Sequence, residues 1–244
     1  MNFKSLLSNK WFLAATFFLI YTWLINWKFT IVLMCSIGFH ESGHLWAANK
    51  KGLSTGGFVF IPFLGGLAAI TENYKTFAQQ AYIAIMGPIW GLTLATITML
   101  LGISLSNSFL TITATWMGIF NLFNLIPVTF LDGGQILKTI VLSLSKIYGF
   151  TIINYLTIVT AGIFFYYIHS PLIIFATIIS VLQNIVEAKQ YLKSKSSLPR
   201  DLTNNQMIKT IISYVSTIIL LVIIICIGFT YTHIFTGHYS FIVK

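Results

Sequence analysis

Seven stretches of this chain are long and apolar enough to cross a lipid bilayer, at about 20 residues of helix per crossing. They run near 11–27, 29–48, 77–103, 109–126, 150–168, 171–188 and 208–234. In hydrocarbon no water is present to satisfy backbone N–H and C=O groups, so each span must bond internally as a helix. Composition agrees. Apolar residues make up 57% of the 244 and charged residues 8%, where a soluble domain carries about 25% charged residues. The chain therefore reads as an all-α polytopic membrane protein with about seven transmembrane helices. A net charge of +9 raises the question of nucleic acid. The basic residues fall between the apolar runs, however, as membrane topology requires, and no nucleic-acid partner is expected.

Orientation follows from the same residues. With the N-terminus cytoplasmic, positions 4, 10, 50, 51, 75, 138, 146, 189, 193, 195, 200 and 209 all lie inside, leaving only Lys28 and Lys244 outside. That bias of twelve to two places the C-terminus outside. Trp11–Trp27 runs on without a small-residue cleavage site, so it reads as a retained first helix. Cys35 and Cys226 both lie within apolar runs, which argues against a disulfide framework.

Two segments differ from the spans. Residues 49–76 carry Gly56-Gly57-Phe58-Val59-Phe60-Ile61-Pro62 and Gly65-Gly66-Leu67-Ala68-Ala69-Ile70. Glycine-punctuated β-branched and aromatic residues suggest a short membrane-associated β-hairpin or re-entrant loop over 53–71, with a plain loop as the alternative. The tract Lys189–Gln206 is polar and turn-rich. Residues 1–192 are thus expected to form a six-helix body, 193–206 a cytoplasmic linker, and 207–244 an extra transmembrane helix with an exterior tail.

Chemistry concentrates in the second run, at His40-Glu41-Ser42-Gly43-His44. Histidines at i and i+4 share one helix face and can share a metal ion. Glu41 lies near that face, where it can take a proton from an attacking water. An ionisable side chain in mid-membrane costs roughly 2.5–3.5 kcal/mol on insertion scales. Three together, with no Lys or Arg beside Glu41, make poor sense as packing. Cys35, five residues before His40, faces away from the pair.

A catalytic zinc site has three protein ligands and an open fourth position. The acidic residues are Glu41, Glu72, Asp132, Glu187 and Asp201. Asp132 closes the stretch Asn124-Leu125-Ile126-Pro127-Val128-Thr129-Phe130-Leu131-Asp132-Gly133-Gly134, which follows the fourth run at the membrane level of the histidines. Pro127 breaks the helix and the glycines allow close backbone approach. Asp132 is either a ligand or a helix N-cap before the run Gln135–Leu142. Glu72, beside Asn73 and Lys75, reads as a solvated loop residue, and Glu187 as an interfacial charge sharing a helix end with Lys189. His169, His233 and His238 read as lone interfacial histidines.

With both motifs on the page, residues 29–147 resemble the site-2 protease family of intramembrane zinc metalloproteases. The resemblance rests on His40-Glu41-x-x-His44 within a membrane helix and on Asn124-x-x-Pro127-x-x-x-x-Asp132-Gly133. It implies one zinc per chain held by His40, His44 and Asp132, Glu41 as catalytic base, and Asn124 positioning substrate or its oxyanion. It also implies that the hairpin receives an extended substrate by strand addition. The implied partners are a transmembrane or signal-peptide-like protein and the lipid bilayer, in the cell membrane of a prokaryote, with the active site toward the cytoplasm. The sequence departs from the family at Gly87-Pro88-Ile89-Trp90-Gly91, where Gly91 stands in place of a frequent asparagine and forms a G-x-x-x-G packing pair with Gly87. No PDZ or CBS domain is expected. Two other classes use the same residues: a metal transporter or sensor of the membrane, and a catalytically inactive relative that binds membrane helices.

Overall fold

A computed structural model of the chain describes residues 9–62, 65–169, 171–193 and 199–236. Eight helices and one hairpin make up these residues: α1 (Lys10–Leu24), α2 (Trp27–Lys50), β1 (Thr55–Ile61), β2 (Gly65–Ile70), α3 (Phe77–Ser104), α4 (Ser108–Asn124), α5 (Asp132–Leu144), α6 (Lys146–Ile168), α7 (Pro171–Lys193) and α8 (Asn204–Thr236).

All seven apolar runs are helical, but among the described residues four helices are long and apolar enough to cross a membrane: Phe77–Ser104, Tyr148–Tyr167, Ile173–Tyr191 and Asn204–Tyr231. The other three differ for physical reasons. α1 and α4 have only 15 and 17 residues, short of the roughly 20 a crossing needs. α2 has 24, but His40, Glu41, Ser42 and His44 lower its hydropathy. α5 is an eighth helix, largely amphipathic, and lies between the fourth and fifth apolar runs.

The helix ends are written locally. The side chains of Asn26, Thr76 and Asn107 accept from Phe29, Gln79 and Leu110 N–H groups at the starts of α2, α3 and α4, satisfying donors that have no partner within their helices. Gly52, at φ +73°, ends the turn after α2. The hairpin is antiparallel, pairing Val59 with Leu67 and Ile61 with Gly65, with an irregularity between Thr55 and Phe58. Gly57 at φ +88° supplies the left-handed residue there. The glycine-rich segment is thus a hairpin and not a plain loop.

The core is built from α3, flanked by α2, α4, α5 and α8. Its largest buried cluster joins Phe77 and Ile85 of α3, Leu125, Ile136 and Leu142 at and after the end of α4, Phe150 of α6, and Leu221 of α8. Leu202 belongs to the same cluster. The stretch before α8 is stitched to the body. Arg200 N–H donates to Lys75 O at 3.0 Å, and Phe77 N–H to Arg200 O at 2.9 Å. Asp201 pairs with Lys146 at 2.9 Å, and Leu202 N–H donates to Ser143 Oγ at 3.0 Å. α8 runs along α4 and α3, so the last helix packs into the body.

Candidate metal centre

Two helices cross closely at the site because small residues meet there. Gly43 of α2 lies against α3; a Cβ at that position would stand 2.5 Å from Met86 O and 2.9 Å from Trp90 Cβ. The approach carries His40 and His44 onto Gly87, where a Cβ would overlap His44 Nε2 and come within 2.8 Å of His40 Nε2. The Gly87–Gly91 pair thus does more than pack helices. It leaves room for the imidazoles.

α5 brings the third group. Asp132 is its first residue, and Leu131 is the N-cap position. The Asp132 carboxylate makes no capping hydrogen bond to the helix. Its Oδ2 lies 3.0 Å from His40 Nε2 and its Oδ1 3.3 Å from His44 Nε2. The two Nε2 atoms are themselves 3.1 Å apart. His40, His44 and Asp132 form the one group of three or more potential metal-ligating side chains among the described residues.

The chemistry of these donors fits a cation. His44 Nδ1 lies 2.8 Å from the Ile83 carbonyl oxygen, an acceptor only, so Nδ1 carries the proton. His40 Nδ1 lies 2.8 Å from Asn121 Oδ1. The Asn121 amide nitrogen donates to Met117 O at 2.7 Å, which turns its oxygen toward the imidazole. With Nδ1 committed in each, both rings aim Nε2 at each other and at a carboxylate. Asp132 Oδ2 is buried with no hydrogen-bond donor. Three donor atoms so close together and removed from water suit a shared cation, and two imidazoles with a carboxylate suit zinc. Nδ1–H bonds to a carbonyl and an amide oxygen are the outer contacts that orient metal-binding histidines.

Glu41 stands beside the cluster, 7% exposed. It accepts from the Ala68 backbone N–H of β2, and a Cβ on Gly66 would lie 2.5 Å from its side chain. Gly66 thus lets the hairpin lie directly on the carboxylate. A cavity of about 180 Å³ opens here, lined by His40, Glu41, His44, Asp132, Asn124 and the β2 backbone, with Tyr74, Gln80 and Gln135 also on its wall. Burial, helped by the Asp132 charge, pushes the Tyr74 phenol up to about 12, so it remains a neutral hydrogen-bond donor.

Asn124 reaches the cavity wall, with its amide nitrogen 3.2 Å from Phe120 O. Glu72 lies on the surface, where the Ser54 hydroxyl and N–H hold its carboxyl below the usual range. Glu187 has a partner the sequence reading did not name. It is paired across 49 positions with Lys138 at 2.6 Å, not simply placed beside Lys189, because α7 packs where Lys138 is buried. Both cysteines are exposed and unpaired. His169 caps α6 in the left-handed region; His238 and the side chain of His233 lie outside the description.

Sequence reasoning missed Asn121. It is fully buried, and a side chain at Gly91 would overlap its amide, so glycine at 91 makes the space Asn121 fills. The available signal was an amide three residues before Asn124 in an otherwise apolar helix.

Residues 28–110 match the model of Peptidase family M50. A zinc metalloprotease of Methanocaldococcus jannaschii is 33% identical over 125 residues, covering 49% of this chain and 35% of that protein. Proteins of Synechocystis sp. and Mycobacterium tuberculosis, both carrying provisional zinc metalloprotease names, are 31% and 30% identical over 129 and 124 residues. The chain spans about a third of the length of these relatives, 35%, 32% and 31% respectively. No solved structure matches. Over residues 28–110, which hold His40-Glu41-x-x-His44, the chain is thus similar to Peptidase family M50, the site-2 protease family.

Proposed function

We propose that this protein is an intramembrane zinc metalloprotease that hydrolyses a peptide bond in or near a transmembrane segment or signal-peptide-like stretch of another protein. The observation that carries this reading is the convergence of potential ligand atoms of His40, His44 and Asp132, with Glu41 alongside in the same cavity. His40, His44 and Asp132 would hold one zinc per chain, and zinc there supplies Lewis acidity toward a carbonyl and acidifies water.

The chain's own residues do the rest. Glu41 takes a proton from the attacking water and returns it to the leaving amine. Asn124, on the cavity wall, is placed to donate to the developing oxyanion. β2 pairs with β1 along one edge only. Its other edge can take an extended substrate strand, with Gly66 bringing that strand close to Glu41. Tyr74, Gln80 and Gln135 give the cavity a polar wall through which water reaches the site. A transmembrane helix hides its peptide bonds in internal hydrogen bonds, so the substrate must unwind locally first.

In this reading all seven apolar helices cross or enter the cell membrane, with the N-terminus and the site on the cytoplasmic side. The twelve-to-two distribution of Lys and Arg supports that orientation. Labelling single cysteines placed at Ser196 and Ser240, both outside the described residues, checks it: Ser196 reacts from the cytoplasm and Ser240 from outside. Reaction of both from one side removes one span and overturns the seven-helix arrangement.

The decisive experiment for function is cleavage of a model transmembrane peptide by the purified protein beside its Glu41→Gln variant. Cleavage by the first and none by the second is expected. A transporter, sensor or inactive relative gives no cleavage in either.

A further inference from the structure

The turn Leu125–Leu131, which joins α4 to the first residue of α5 and so aims Asp132, is held by residues far outside the matched family segment. α7 presents Ser180, Asn184 and Glu187, spaced four and then three residues apart, and such residues share one helix face. All three reach the turn or the helix after it. Phe130 N–H donates to Ser180 Oγ at 3.1 Å. Asn184 donates to Thr129 Oγ1 at 3.2 Å and to Asn154 Oδ1 of α6 at 2.8 Å. Glu187 accepts from Lys138 of α5 at 2.6 Å. Ser180 and Asn184 are fully buried, and Lys138 is 3% exposed.

α8 grips the same turn at its other end. Tyr214 O–H donates to Leu125 O at 2.6 Å. That carbonyl is packed against Gly133, where any Cβ would overlap it. Leu125 itself is 2% exposed. Another backbone acceptor of the turn, Thr129 O, is taken by Gln135 Nε2 at 2.5 Å. In apolar surroundings an unsatisfied polar group is expensive, so each of these bonds restricts the turn strongly.

We propose that Ser180, Asn184 and Tyr214 are positioning residues for Asp132, and that α7 and α8 are thereby part of the metal centre. The inference rests on the zinc reading of His40, His44 and Asp132. None of the three touches the cluster. They act through the turn.

The test uses the full-length protein in detergent or vesicles, with zinc affinity from competition against a chelator and the visible spectrum of the Co2+ form as readouts. Tyr214→Phe and Ser180→Ala each remove one hydroxyl, from different helices onto the same turn. Each is expected to weaken zinc binding by about tenfold, the lower end for residues that orient metal ligands, and to shift the cobalt bands. In a cleavage assay kcat should fall with KM little changed. Ser216→Ala removes an α8 hydroxyl bonded only within its own helix and should leave affinity and spectrum unaltered. A lower melting temperature with wild-type zinc affinity and cobalt spectrum in both test variants would mean that these residues merely hold the bundle together, which overturns the proposal. Failure of the wild-type protein to bind zinc overturns the metal reading, and the positioning role with it.

Discussion

Glu41→Gln yields a protein that holds about one zinc per chain and has lost hydrolysis, whereas Asp132→Asn loses both. The distinction follows from geometry. Asp132 places its two carboxylate oxygens 3.0 and 3.3 Å from the Nε2 atoms of His40 and His44, while Glu41 lies outside that group and bonds to the hairpin. Glutamine is close in size to glutamate and still fits under Gly66, but it accepts no proton. Positioned acid–base groups contribute typically 10²–10⁴-fold, so the loss in Glu41→Gln should be at least of that order. A neutral amide oxygen is a much poorer ligand for zinc than a carboxylate, and Asp132→Asn has only two imidazoles left. Glu72→Gln serves as a control that keeps zinc and activity, since Glu72 faces solvent with Ser54. Metal content by mass spectrometry, beside the cleavage assay, checks these three and Glu187→Gln. Zinc retained in Asp132→Asn but lost in Glu187→Gln would move the third ligand to α7 and break the assignment.

Gly87→Ala should abolish metal binding although it adds one methyl group to a helix. The new Cβ would overlap His44 Nε2 and press within 2.8 Å of His40 Nε2. It would stand in the space where the three ligands converge. The imidazoles cannot yield easily, because their Nδ1 atoms are tied to Ile83 O and Asn121 Oδ1 at 2.8 Å each. Pro88 follows within the same helix, and α2 and α3 are in backbone contact at Gly43, so the helices cannot part without opening the crossing. Gly91→Ala is expected to be milder. Its methyl displaces the Asn121 amide and leaves His40 without its outer hydrogen bond, a change that costs about 10–100-fold in metal affinity at comparable sites. Asn121→Leu should fall in the same range. Chelator competition ranks the three variants, with circular dichroism to confirm that helix content is kept. Full zinc binding by Gly87→Ala would show that the histidines converge elsewhere.

The features legible in the sequence are those that depend on near neighbours along the chain. A rise of 1.5 Å per residue puts His40 and His44 on one helix face whatever surrounds them. Long apolar runs must be helical in lipid, glycines at 57 and 65 with φ of +88° and +95° suit a hairpin, and Pro127 with Gly133 and Gly134 marks a tight turn before Asp132. The number of residues in a run, by contrast, did not settle which runs cross a membrane. α1 and α4 are short, and α2 is interrupted by its own polar groups.

Tertiary packing decided everything that pairs distant positions. Asp132 is a cluster member and not a cap because α5 starts against α2. Glu187 is removed from candidacy by Lys138, a partner 49 residues away that no local period reveals. Asn121 became visible only when α4 was laid across Gly91, bringing its amide to a histidine 81 residues earlier. The last helix, which in the sequence stands beyond a polar linker, proves to hold Leu125 through Tyr214. Helical periodicity specifies which side chains share a face, but the partner of that face is chosen by which helices can approach closely. Here that choice is made by the glycines of α2 and α3.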